Sequence, residues 1–83
     1  MRPEIIWAAR GEAEKAEEKF GPMTSTHEGL GVLVEEFDEL REAIHRNDCY
    51  AVKREACQVA AVALRIVNAC FDRAFQERSG FKP

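Results

Sequence analysis

The chain has 83 residues, with 12 Lys and Arg against 15 Asp and Glu, a net charge of −3 and 46% hydrophobic residues. That balance lacks the cationic excess that neutralises phosphate backbones, which argues against duplex DNA or RNA as a partner. A domain this short buries only about 60% of its unfolded surface and calls for a staple, a metal or a partner subunit. Cys49, Cys57 and Cys70 are odd in number and lack CxxC spacing, and no apolar leader follows Met1-Arg2-Pro3-Glu4. Both features predict a cytoplasmic chain without disulfides.

Five Gly, three Pro and no strand-like alternation predict an all-α chain of three helices forming one domain over residues 1–83. The first helix, about Glu4 to Lys19, sets Ile6, Ala9, Ala13, Ala16 and Phe20 on one seam and turns Glu12, Glu14, Lys15, Glu17 and Glu18 outward. Gly11 is a possible break in it, and Gly21-Pro22 ends it. Trp7 is expected to pack at a helix contact or interface rather than against a nucleobase.

The second helix starts near Ser25 or Thr26, where Ser25-x-x-Glu28 has the form of a capping box, and runs to about Arg46. Leu30, Leu33, Phe37, Leu40 and Ile44 form its main stripe. Asn47-Asp48 supply a turn and the cap of a third helix that runs from about Tyr50 to Glu77.

From Ala56 to Phe71, 13 of 16 residues are apolar, interrupted only by Gln58, Arg65 and Asn68. The run is shorter than the roughly 18 to 20 residues of a membrane span and carries an arginine, so it reads as a buried helix and not as a membrane segment. Two flanking helices cannot cover it on every side. The expected architecture is therefore a helical bundle completed by at least one more copy of the chain.

Glu35-Glu36-Phe37-Asp38-Glu39 puts four acids into five residues. A rotation of about 100° per residue aligns Gly29, Val32, Glu36, Glu39 and Ala43 as a second stripe, with Glu35 and Asp38 further out. On the third helix Glu55, Gln58, Val62, Arg65 and Ala69 align in the same way. Taken alone, the acidic run also suits a solvated face with i, i+4 pairing. Partial burial of Glu36, Glu39 and Glu55 together is costly without a cation, and Mg²⁺ suits carboxylate and water oxygens. Lys53, Arg54 and Arg65 are candidates for phosphate oxygens. For Lys53 and Arg54 the alternative is ordinary solvation, and for Arg65 an ion pair with an acid such as Asp72.

The pattern Glu35-Glu36-x-x-Glu39 followed by Glu55-x-x-Gln58 resembles the EExxE...ExxD signature of the MazG-like, all-α nucleotide pyrophosphohydrolases. The resemblance spans about residues 24–72 and includes His27-Glu28-Gly29 and the segment from Glu55 to Arg65. It implies a Mg²⁺-dependent enzyme, dimeric or tetrameric, that cleaves a nucleoside triphosphate between its α and β phosphates to give the monophosphate and pyrophosphate. By the same resemblance Glu36, Glu39, Glu55 and Gln58 match the metal-ligand positions, and Glu35 and Glu36 the catalytic acids that orient or activate water. Gln58 departs from the signature: an amide offers a neutral oxygen where the family has an anionic aspartate, which weakens metal binding. The alternative is a catalytically weakened or inactive helical oligomer, acting as a nucleotide- or cation-binding or protein-interaction module.

Overall fold

Helix starts in this chain are written by their caps. In the computed structural model, which describes residues 1–81, α1 spans Pro3–Phe20, α2 Thr26–His45, α3 Cys49–Ala69 and α4 Arg73–Arg78. Pro3 opens α1 where its missing N–H would have had no partner anyway. Gly11 lies inside α1 without breaking it. Gly21 closes the helix at φ 78°, a left-handed conformation suited to glycine, and its N–H reaches Glu17 O at 2.8 Å.

Ser25 Oγ accepts the Glu28 N–H at 3.2 Å and caps α2, as the sequence predicts. The Glu28 carboxylate reaches one residue further back than a capping box requires, accepting the Thr24 N–H at 3.0 Å together with the Thr24 hydroxyl. Asn47, at φ 56°, makes the turn after α2, and Asp48 accepts the Ala51 N–H at 3.1 Å to start α3.

α3 packs against both α1 and α2. Side-chain bonds from Gln58 to Glu12 and from Arg65 to Glu17 show that α1 runs alongside α3 in the same direction. Gly29 lies beside Ile66, and Glu36 and Glu39 lie beside Glu55, so α2 runs the opposite way. Small residues set these distances. Ala9 and Ala13 are buried on α1, Ala51 and Ala61 on α3, and Ala43 on α2. A Cβ at Gly29 would lie 2.8 Å from Ile66 Cγ1, so only hydrogen fits there without a shift.

Three expectations are corrected. The third helix does not continue to Glu77, and the described residues form four helices: the N–H groups of Phe71 and Asp72 fold back onto Asn68 O and Ala69 O, and the Asp72 side chain caps α4 by accepting the Ala74 N–H at 2.8 Å. The break lets Phe75 turn into the core, where it is 0% exposed among Met23, Val62 and Ala69. Arg78 Nε donates to Thr24 O and Ser79 Oγ accepts the Thr26 N–H, tying α4 to the connection between α1 and α2.

Secondly, Glu12 and Glu17 are half-buried against α3 rather than turned outward, because each has a partner there, whereas Ile6 and Phe20 on the anticipated seam are exposed. Thirdly, the main stripe of α2 is divided. Leu33 and Leu40 are half-buried, but Leu30, Phe37 and Ile44 are each more than half exposed, and the stripe containing Gly29, Glu36 and Ala43 meets α3 in their place. No helix among the described residues is long and apolar enough to cross a membrane.

Candidate functional site

Three of the predicted acids converge. Glu36 and Glu39 lie one turn apart on α2, and the antiparallel α3 brings Glu55 opposite them, so that one carboxylate oxygen from each lies within 4.8 Å of the others. Gly29 beside Ile66 at one end, and the small, buried Ala43 and Ala51 at the other, let the two helices approach closely. Glu36 and Glu55 are half-buried and Glu39 is exposed, so the cluster has a dry base and a wet mouth.

The electrostatics follow from that geometry. Burial holds the Glu36 carboxyl above its ordinary range, and the charge on Glu55 pushes it the same way. Glu39 is also raised, first through hydrogen bonding with Glu55 and then through the charges of Glu36 and Glu55. Glu36 Oε2 is buried and has no hydrogen-bond partner, a costly state for a polar oxygen. An oxygen-only set with surplus negative charge and an unpartnered lone pair suits a hard divalent cation. Glu36, Glu39 and Glu55 would hold it.

The other predicted residues are distributed around this cluster. Glu35 is on the exposed side of α2 next to Glu36. Arg54 Nε lies 3.3 Å from Glu55 Oε1, the one cation in contact with the three acids among the described residues. Lys53 is exposed, its ammonium 5.8 Å from the centre of the Tyr50 ring. Gln58 turns toward α1, where its Nε2 donates to Glu12 Oε2 at 3.1 Å. That bond, followed by Lys15, holds the Glu12 carboxyl below its ordinary range. Arg65 is 5% exposed and donates to Glu17 Oε2 at 3.2 Å and Gly21 O at 3.0 Å. It thus takes the ion pair anticipated as its alternative role, but with Glu17; Asp72 caps α4 instead. Trp7 and Phe71 are exposed, and His27 lies exposed in the first turn of α2.

Sequence reasoning missed Glu12 and Glu17. Their signal was available in part: both flank the Ala9 and Ala13 seam on the helical wheel, within reach of whatever the seam touches. The partners themselves depend on the parallel course of α1 and α3, which a three-helix reading does not specify.

Compared with known proteins, the chain matches no family model, no curated protein and no solved structure.

Proposed function

We propose that the protein is a Mg²⁺-dependent nucleoside triphosphate pyrophosphohydrolase of MazG-like type, converting an NTP or dNTP to its monophosphate and pyrophosphate. The observation that carries this reading is the convergence of Glu36, Glu39 and Glu55 around a buried, unpartnered carboxylate oxygen, at the positions where the sequence resembles the signature of those enzymes. Bound there, Mg²⁺ would neutralise charge on the phosphate oxygens. The chain's own groups then have distinct tasks. Glu39, at the exposed mouth, and Glu55, beneath it, face an incoming polyphosphate. Glu35, solvated and adjacent, orients the attacking water and receives its proton. Arg54, already against Glu55, and Lys53, one residue earlier on α3, offer positive charge to the departing pyrophosphate. Arg65 is withdrawn from this list because both of its bonds serve the fold.

A second reading, a nucleotide- or cation-binding oligomer without turnover, is favoured by one observation. Gln58, at the position of the family's aspartate, is engaged by Glu12 on α1, which leaves three carboxylates to do the work of four. Incubation with a panel of nucleoside triphosphates and Mg²⁺, assayed for pyrophosphate and monophosphate, separates the two readings. The enzyme reading expects release by the wild type that falls at least about 100-fold in Glu36→Gln, as for loss of a metal ligand at the reacting centre. Equal release by both proteins sinks the metal mechanism. Mg²⁺ binding without any release selects the second reading.

A further inference from the structure

Between their first halves, the parallel helices α1 and α3 leave a cleft of about 410 Å³. Ile5, Ala8 and Ala9 form one wall and Ala56, Cys57 and Ala60 the other, with Lys53 at the end nearer the two helix starts. Clefts of this size between helices hold small organic molecules. Cys57 is half-buried, and its thiol packs as a small apolar group. Lys53 is the one charged residue of the lining.

The charge at that end is unspent. No carboxylate pairs with Lys53 among the described residues, and its ammonium stands 5.8 Å from the centre of the Tyr50 ring. The acids on the same two helix starts have partners of their own: Glu4 pairs with Arg2, Glu55 with Arg54, and Asp48 caps α3. Because α1 and α3 are parallel, the positive ends of both helix dipoles also lie toward this end. The shape then selects the occupant. Two parallel helices make a straight furrow, which suits an unbranched chain. From Lys53 to Ala60 the α3 wall is about 10 Å long, about the length of eight carbons in an extended chain. An apolar furrow with one unpaired cation at its end matches an apolar body carrying one negative head.

We propose that this cleft binds a medium-chain aliphatic carboxylate, its head paired with Lys53 and its chain laid between Ala56 and Ala60 on one side and Ile5 and Ala8 on the other. The site lies between α1 and α3, whereas the acid cluster lies between α2 and α3. It therefore stands whether or not the cluster binds metal. With the cleft empty, the flexible Lys53 side chain remains free for the phosphate role given to it above.

The test uses the full chain in EDTA, which removes any contribution of a divalent ion. Calorimetric and methyl NMR titration of the wild type with sodium octanoate is expected to show one ligand per chain, shifting the methyl signals of Ile5, Ala8, Ala56 and Ala60. Butanoate should bind at least about tenfold more weakly, because it buries four fewer methylenes. Octylammonium, with the same chain and the opposite charge, should bind at least about tenfold more weakly as well. These comparisons need no variant to fold. Lys53→Glu, at an exposed helical position, is expected to keep its helical circular dichroism and to reverse the preference between octanoate and octylammonium. Ala60→Phe, also at an exposed position, should fill the far end and move the optimum to a shorter chain. Absence of saturable octanoate binding, equal binding of octanoate and octylammonium, or a preference unmoved by Lys53→Glu would each overturn the proposal. So would shifts centred on Leu30 and Phe37, or Ile5 and Ala60 signals that move with protein concentration alone because a second copy covers the cleft. Glu36→Gln, which disables the metal reading, is expected to bind octanoate as the wild type does, so the two readings fail separately.

Discussion

Two charged regions lie on neighbouring faces of α3, and they are finished to different degrees. On the α1 side, Arg65 is saturated by Glu17 and the Gly21 carbonyl, and Gln58 by Glu12. On the α2 side, three carboxylates converge, only Glu55 of them with an arginine partner, and a buried oxygen of Glu36 has nothing to bond. The acids register the difference. Glu12 is held below the ordinary carboxylate value of 4.5, whereas Glu36 and Glu39 are held above it. A region that satisfies its own charges reads as scaffold; one that leaves them in surplus reads as a receptor for something positive.

The most severe way to break this contrast is to undo the finished side. Arg65→Met should strand Glu17 and the Gly21 carbonyl and destabilise the protein by about 3 kcal/mol, measured as a shift in the urea midpoint at fixed protein concentration. A midpoint unchanged within error would mean that the pair contributes nothing to the scaffold. Next in size is the response of the unfinished side to a cation. Mg²⁺ at a hundredfold excess over its dissociation constant should stabilise the wild type by about 2.7 kcal/mol. The same addition to Glu36→Gln should leave thermal unfolding nearly unmoved. Without metal the sign reverses, and Glu36→Gln should be the more stable protein at neutral pH, because a raised carboxyl is one that opposes its own ionisation.

The pH profile sharpens the contrast further. Glu36 and Glu39, raised in the native state, retain protons that the unfolded chain has released, so their contribution is complete below the ordinary carboxylate value and is lost as pH rises through the raised ones. Glu12 and Glu28, lowered in the native state, act in the opposite sense, and their contribution is lost as pH falls through their depressed values. Metal-free stability should therefore pass through a maximum near the ordinary carboxylate range, and saturating Mg²⁺ should flatten the alkaline limb alone. Denaturant melts from mildly acidic to neutral pH read this directly; an alkaline limb indifferent to Mg²⁺ would detach the two carboxyls from the cation site.

The smallest effect lies between the two regions. Gln58→Asp should cost a few tenths of a kcal/mol through repulsion with the exposed edge of Glu12, while strengthening Mg²⁺ binding if the side chain swings from α1 to the cluster. Calorimetric titration of that variant, alone and with Glu12→Gln, distinguishes a residue held away by its partner from one aimed away by the backbone.

The site was more legible in the sequence than the fold around it. Glu36, Glu39 and Glu55 were readable by local arithmetic: helical phase aligns Glu36 with Glu39, and sets Glu55 on one stripe with Gln58, Val62, Arg65 and Ala69. The caps Ser25 and Asp48 were readable for the same reason, since a side chain reaching an N–H two or three residues on depends on nothing distant. Asp72 carries the same signal, but it follows directly on an apolar run that reads as continuous helix, and only the burial of Phe75 shows why the chain turns there. Glu17 and Arg65 are 48 residues apart, and their pairing is a property of how two helices lie side by side. The division of the α2 stripe has the same origin, because Leu33 and Leu30 look alike until the direction of α3 is known.

The short fourth helix has a consequence for how the protein comes to be made. Phe75 seals the floor beneath Met23, and Arg78 and Ser79 fasten the segment that joins the first two helices. A growing polypeptide therefore emerges from the ribosome with that joint open, its methionine unshielded until α4 has followed α3 out of the tunnel. Closure waits for α4, and a message cut short just after Ala69 would release three helices that carry all the acids yet lack the latch over Met23.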